Sequence, residues 1–203
     1  MIDNSGSTNT TDPNHYYRVK TIQDFLANYG SHTNLTYSFG YFSGTTSPEY
    51  DMVQNKFKSS TLNIFGNATG LSSALTKYES TSSSGNTPYS AAFAALNSEV
   101  TADEQAGTKQ DYVIVFMSDG QPTDINGNVA SGIISMVDQL RLSVQNNGSS
   151  LMTVSSVYFG PENDNISIGN LQTMANEGQG QFVDTNINGT LSIHDLITVP
   201  SCQ

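Results

Sequence analysis

The chain has 203 residues, enough for one sizeable core, and a formal charge of −11 at pH 7 that argues against nucleic acid and anionic membrane surfaces as partners. Only 36% of the residues are hydrophobic and 12% charged; the balance falls to Ser, Thr, Asn and Gly, more typical of secreted or surface proteins than of cytosolic enzymes. No apolar run approaches the roughly 20 residues of a membrane span, and no leader segment is visible.

Met1 and Ile2 read as the end of a buried strand, and Asp3-Asn4-Ser5-Gly6-Ser7 as a tight loop after it. That spacing puts one carboxylate and two hydroxyls on a single turn, with Gly6 easing the sharp backbone path. Asp12-Pro13 is a helix-start signal, and Val19, Ile22, Phe25, Leu26 and Tyr29 recur at helical spacing up to Gly30. Leu35 to Phe42 reads as an aromatic strand, and a short edge strand is expected around Leu62 to Phe65. Leu71, Leu75 and Tyr78 predict a short helix, and Ser80 to Asn86 a low-complexity loop.

Pro88 suits the start of a helix whose Ala91, Ala92, Ala95 and Leu96 form a small-residue face. Asp111 to Met117 holds the clearest buried strand and runs straight into Ser118-Asp119-Gly120. Val129, Ile133, Val137, Leu140 and Val144 mark the strongest helix. A strand over Leu151 to Phe159 follows, then a helix carrying Ile168, Leu171, Met174 and Ala175 that ends at Gly178. Gln181 to Val183 predicts a short strand and Leu191 to Ile197 a final helix, with residues 198–203 as a tail. Apolar strands alternating with helices imply one α/β domain over residues 1–197: a doubly wound, mostly parallel sheet with helices on both faces. Ligands of such folds bind beyond the carboxyl ends of the strands, where Asp3 and Asp119 both fall.

Asp3-x-Ser5-Gly6-Ser7, Gly85-Asn86-Thr87 with its small-residue helix, and Ser118-Asp119-Gly120 occur in that order. Together they resemble the metal-ion-dependent adhesion site of von Willebrand factor A domains, of bacterial adhesin type. The resemblance covers nearly the whole chain. It implies that the hydroxyls of Ser5, Ser7 and Thr87 bind Mg²⁺ directly, with Mn²⁺ or Ca²⁺ as substitutes, and that Asp3 and Asp119 act at least partly through water. Magnesium demands oxygen donors and keeps several waters, and neutral hydroxyl ligands leave it electrophilic. It would then capture a carboxylate from a protein or glycan partner, without catalysis. The residues also admit local readings: turn or cap for Ser5 and Ser7, N-cap for Thr87, a plain turn for Asp119-Gly120.

The resemblance implies an extracellular or cell-surface module of a larger multidomain bacterial protein. A metal-dependent hydrolase and a scaffold subunit of an intracellular complex are the alternatives. Tyr89 and Gln121 are expected to touch the partner, with Tyr16, Tyr17, Tyr41 and Tyr50 as further aromatic candidates. Asp12 and Asp124 are expected to be solvated loop carboxylates, and His15, His32 and His194 lack the mutual spacing of a zinc site. The family's first strand carries about five apolar residues before the aspartate. Here only two precede Asp3, so the central strand is expected to be largely missing: either the chain is a segment of a longer protein, or another segment, such as Leu196-Ile197-Thr198-Val199, fills the gap. Cys202 has no partner cysteine within the sequence.

Overall fold

The computed structural model describes residues 1–32, 34–44, 52–54, 67–105, 111–146 and 151–188. In chain order these form β1 (Ile2–Asp3), α1 (Thr8–Thr11), α2 (Tyr16–Tyr29), β2 (Tyr41–Ser43), β3 (Met52–Gln54) and α3 (Ala68–Glu79). Then come α4 (Tyr89–Gln105), β4 (Tyr112–Ser118), α5 (Val129–Asn146), β5 (Met152–Tyr158), α6 (Asn165–Glu177), β6 (Gln179–Asp184) and α7 (Thr185–Asn188). The strands make one sheet in the order β3-β2-β1-β4-β5-β6, parallel throughout except for β3, which runs antiparallel at the edge. This is the doubly wound α/β architecture that the alternating pattern predicts.

Period-two alternation explains why helices cover both faces. Tyr112, Ile114 and Phe116 of β4, with Met152, Val154 and Tyr158 of β5, point to one core, completed by Phe93 of α4, Val137 and Leu140 of α5, and Leu171 and Met174 of α6. Val115 and Met117, with Val157 of β5 and Val183 of β6, point to the other core, against Val19 of α2 and Leu71, Leu75 and Tyr78 of α3. The alternation reaches back before β2: Tyr37, Phe39 and Tyr41 share the second face and are all buried. Phe39 and Tyr41 set their rings 5.5 and 5.0 Å from that of Tyr78. Regular strand nevertheless covers only Tyr41–Ser43, meeting the expected Leu35 to Phe42 at its last two residues.

The first strand is as short as the sequence leads one to expect. β1 has only two residues, yet it occupies the centre of the sheet between β2 and β4. Ile2 N donates to Gly40 O at 2.9 Å, Asn4 N to Phe42 O at 2.8 Å, and Met117 N to Met1 O at 3.0 Å. Those bonds satisfy both neighbours at the carboxyl end of the sheet, where the chain needs them. The substitute strand Leu196 to Val199, the final helix, Cys202 and the edge strand at Leu62 to Phe65 lie outside the described residues. An edge strand is present earlier, at Met52–Gln54.

From β1 the chain order grows outward through β2 on one side and through β4, β5 and β6 on the other. The reversal of direction therefore lies between β1 and β4, and ligands of such sheets bind beyond the carboxyl ends of strands at that point.

Candidate metal centre

Asp3 closes β1, and Asp119 follows the last residue of β4; both are buried, at 0% and 2% exposure. Ser5 N donates to Asp3 Oδ1 at 2.8 Å, which bends the loop back on its own aspartate, and Ser118 Oγ donates to Asp3 Oδ2 at 2.5 Å. Ser7 Oγ donates to Asp119 Oδ1 at 2.9 Å and lies 3.0 Å from Ser5 Oγ. Thr11 Oγ1, at the end of α1, donates to the other oxygen of Asp119 at 2.5 Å. Ser5 is buried whereas Ser7 is exposed, so the cluster has a dry floor and an open mouth.

Thr87 arrives on a separate loop held by backbone exchange. Gly44 and Asn86 bridge the loop to the end of β2, with N–H···O distances of 2.9 and 2.6 Å. Gly85 has φ of +80°, and a Cβ there would fall 1.4 Å from Gly44 O, so only glycine fits. Gly6 N donates to Gly85 O at 2.9 Å, tying this loop to the first. Thr87 and Thr123 then pair, Thr87 N donating to Thr123 Oγ1 at 3.1 Å and Thr123 N to Thr87 O at 2.9 Å. A Cβ on Gly120 would lie 3.8 Å from both Ser7 Oγ and Thr87 Oγ1, so these hydroxyls flank the same glycine. The structure thus brings Asp3, Ser5, Ser7, Thr87 and Asp119 to one spot at the reversal point of the sheet.

Beneath the cluster sits Arg18, fully buried on α2. Its Nε donates to Asp12 Oδ2 at 3.0 Å, one terminal nitrogen to Asp3 O, Asn4 Oδ1 and Tyr78 OH at 2.9, 3.1 and 2.8 Å, and the other to Asp12 O at 2.8 Å. Asp12 is therefore not the solvated loop carboxylate expected from the sequence. It is 2% exposed and also accepts from the backbone N–H groups of Tyr17 and Arg18. Asp124 accepts from Ala91 N at 3.1 Å and is part-buried, so it too is more than a solvated loop charge.

Tyr89 requires a further correction. Its side chain is 0% exposed, its ring packs 4.9 Å from Phe116, and its hydroxyl donates to Gly120 O at 2.9 Å. It braces the Asp119 loop from inside and is out of reach of a partner. Tyr41 is likewise core, while Tyr16 and Tyr17 are exposed and stack edge to face at 5.5 Å. Gln121 is exposed beside the mouth, and Tyr50 lies outside the described residues.

Thr11 and Arg18 stand outside the three motif segments, and nothing in those segments marks Ser118 as a donor to Asp3. The only local signal for Thr11 is its place one helical turn after Ser7. Arg18 carries none, because an arginine on an amphipathic helix ordinarily faces solvent.

The donor set suits a hard cation. The carboxylates of Asp3 and Asp119 have no ion pair among the described residues, and the hydroxyls around them are neutral oxygen donors. No cluster of three or more His, Cys, Asp or Glu occurs among the described residues, so a metal here would rest on hydroxyls plus two carboxylates. Burial, then the neighbouring charge of Asp119, push the Asp3 carboxyl up to about 7; burial also raises Asp119.

A pH dependence follows for the metal-free protein. Folded Asp3 keeps its proton up to about pH 7, whereas the unfolded chain releases it near the ordinary value of 3.8. Between those values the folded state binds more protons, so its stability is highest at the acid end and falls as pH rises through about 7. Melting in a chelator should accordingly show a lower midpoint at pH 8 than at pH 5; a flat or rising midpoint contradicts the burial of an ionisable Asp3.

Fold and cluster together define a doubly wound α/β domain with a candidate oxygen-donor cation site at its topological switch point. No known family model matches the chain, and no curated protein matches it in sequence.

Proposed function

We propose that this chain is a metal-dependent binding module of von Willebrand factor A type, which captures an acidic group of a protein or glycan partner. The observation that carries the reading is the convergence of Asp3, Ser5, Ser7, Thr87 and Asp119, from three separate loops, on one spot that reaches solvent at Ser7. A bound Mg²⁺ would supply a Lewis-acidic position for the partner's carboxylate. Ser5, Ser7 and Thr87 would hold it with neutral oxygens. Asp3 and Asp119 would balance its charge, Asp119 orienting Ser7 by accepting its hydroxyl and Asp3 holding the loop by accepting from Ser5 N. Arg18 and Tyr89 would keep the loops in place from below.

Discrimination between partners would fall to exposed residues at the mouth, Gln121 first among them, because any carboxylate can reach a metal. A composition rich in Ser, Thr, Asn and Gly suits a secreted or surface-displayed module. No helix among the described residues is long and apolar enough to cross a membrane.

The test is a panel of short Asp- and Glu-bearing peptides and acidic oligosaccharides, set beside counterparts whose carboxylates are amidated. Binding in Mg²⁺ that disappears on amidation and in a chelator is the expected result. Binding indifferent to both changes, or turnover of the probes, contradicts the proposal.

A further inference from the structure

Ser7 stands at the N-terminal boundary of α1, yet its side chain caps no backbone N–H. Its hydroxyl is turned to Asp119 instead. One turn later Thr11 N donates to Ser7 O at 3.3 Å, and Thr11 Oγ1 reaches the second oxygen of the same carboxylate. A hydroxyl carries one proton; that of Thr11 lies 2.5 Å from Asp119 Oδ2 and 3.5 Å from Ser7 O, so the carboxylate takes it. Thr8, between them, donates its hydroxyl to Ser5 O at 2.8 Å and fixes the helix to the loop. The four-residue helix therefore acts as a spacer that sets two hydroxyls on the two oxygens of Asp119.

We infer that Thr11 is a positioning residue that restrains Asp119 from ligating the cation directly and so reserves a coordination place for the partner's carboxylate. This rests on the cation-site reading above and adds a residue that neither the motif nor its spacing marks. The physics is a competition for lone pairs. An oxygen that accepts a short, charge-assisted hydrogen bond is a poorer metal ligand and is anchored in direction. Removing the Thr11 hydroxyl frees Oδ2, and Asp119 becomes an internal carboxylate competing with the external one. Metal binding and partner binding should then move in opposite directions, which a merely structural role for Thr11 does not produce.

The experiment uses the full chain with Mn²⁺ as the metal and acetate as the carboxylate probe, in wild type, Thr11→Val, Thr11→Ala and Thr11→Ser. Mn²⁺ affinity is read by calorimetry, and the waters remaining on the bound ion by water-proton relaxation. In Thr11→Val we expect Mn²⁺ to bind at least as tightly, with fewer bound waters. Acetate should bind roughly tenfold more weakly, the 1.4 kcal/mol expected at the low end for a charge-assisted hydrogen bond. Thr11→Ser should restore wild-type behaviour, and Thr11→Ala should repeat the effect if the valine packs badly. Unchanged water number and acetate affinity in both Val and Ala overturn the inference while leaving the cation site standing. Parallel loss of Mn²⁺ and acetate binding overturns it too, since Thr11 would then build the site rather than restrain Asp119. A wild type that binds no Mn²⁺ removes the cation-site reading itself, and the role of Thr11 with it.

Discussion

Arg18→Met should lower the unfolding free energy by about 3–5 kcal/mol, because removing one member of a buried ion pair strands the other. The stranded group is Asp12, 2% exposed, whose Oδ2 would keep only the N–H of Arg18 itself. Four more acceptors lose a donor: Asp12 O, Asp3 O, Asn4 Oδ1 and Tyr78 OH. The guanidinium also lies 5.7 and 5.5 Å from the ring centroids of Tyr78 and Phe159, so its flat shape is part of the packing. Arg18→Lys should therefore rescue little: an ammonium cannot span this planar set of acceptors. Urea denaturation measures the loss. A double-mutant cycle with Asp12→Asn assigns it, since Asp12→Asn should cost much less once Arg18 is gone. A loss below about 1 kcal/mol, the range of exposed pairs, would mean that water reaches the pair.

The consequence for the site is direct. Arg18 holds the backbone of Asp3 and the side chain of Asn4, while Asn4 N is bonded to the end of β2 and Asn4 O receives Ser84 N. Asn4 is thus the joint between the Asp3–Ser7 loop and the loop that brings Thr87. Loosening it should blur two of the three loops together.

Much of this was legible in the sequence because it is local. A strand that is apolar throughout and ends in Ser118-Asp119 says both where the sheet lies and which edge carries the carboxylate. The three site segments are short, each with its chemistry within a few residues. Their meeting follows from topology, since strand-end loops on either side of the reversal must face the same crevice. What could not be read is tertiary. Tyr89 is adjacent to the site in sequence, but the helix beginning there turns its ring into the core. Arg18 looks like one more polar position on α2 until the segment above it and Tyr78 of α3 supply five acceptors. Thr11 lies in a polar stretch without periodicity, and only the folded turn sets it over Asp119. The first strand is short, as its two apolar residues before Asp3 imply, yet strand length is not the requirement. What counts is that Met1, Ile2 and Asn4 make the few backbone bonds the crevice needs.

The second large effect concerns Asp3. Its carboxyl is buried beside Asp119 and raised to about 7, so in the metal-free protein at pH 8 ionised Asp3 is a cost to the fold. A bound cation would convert that cost into attraction. Asp3→Asn keeps the side-chain shape and an oxygen able to accept from Ser5 N, but removes the charge. Asp3→Ala removes both. Both variants should fail to bind Mg²⁺, and Asp3→Asn should melt no lower than wild type in a chelator at pH 8. Stability kept while the ligand is lost is the pattern expected of a residue kept for binding. In wild type, saturating Mg²⁺ should raise the melting midpoint by mass action, an increment that both variants lack.

The most direct measurement is therefore a calorimetric titration of Mg²⁺ into chelator-treated protein at pH 8, for wild type and Asp3→Asn side by side. One site on wild type and none on the variant, both folded by circular dichroism, is the predicted result. Equal binding by the two proteins, or none by wild type, would contradict a cation held by Asp3, Ser5, Ser7, Thr87 and Asp119.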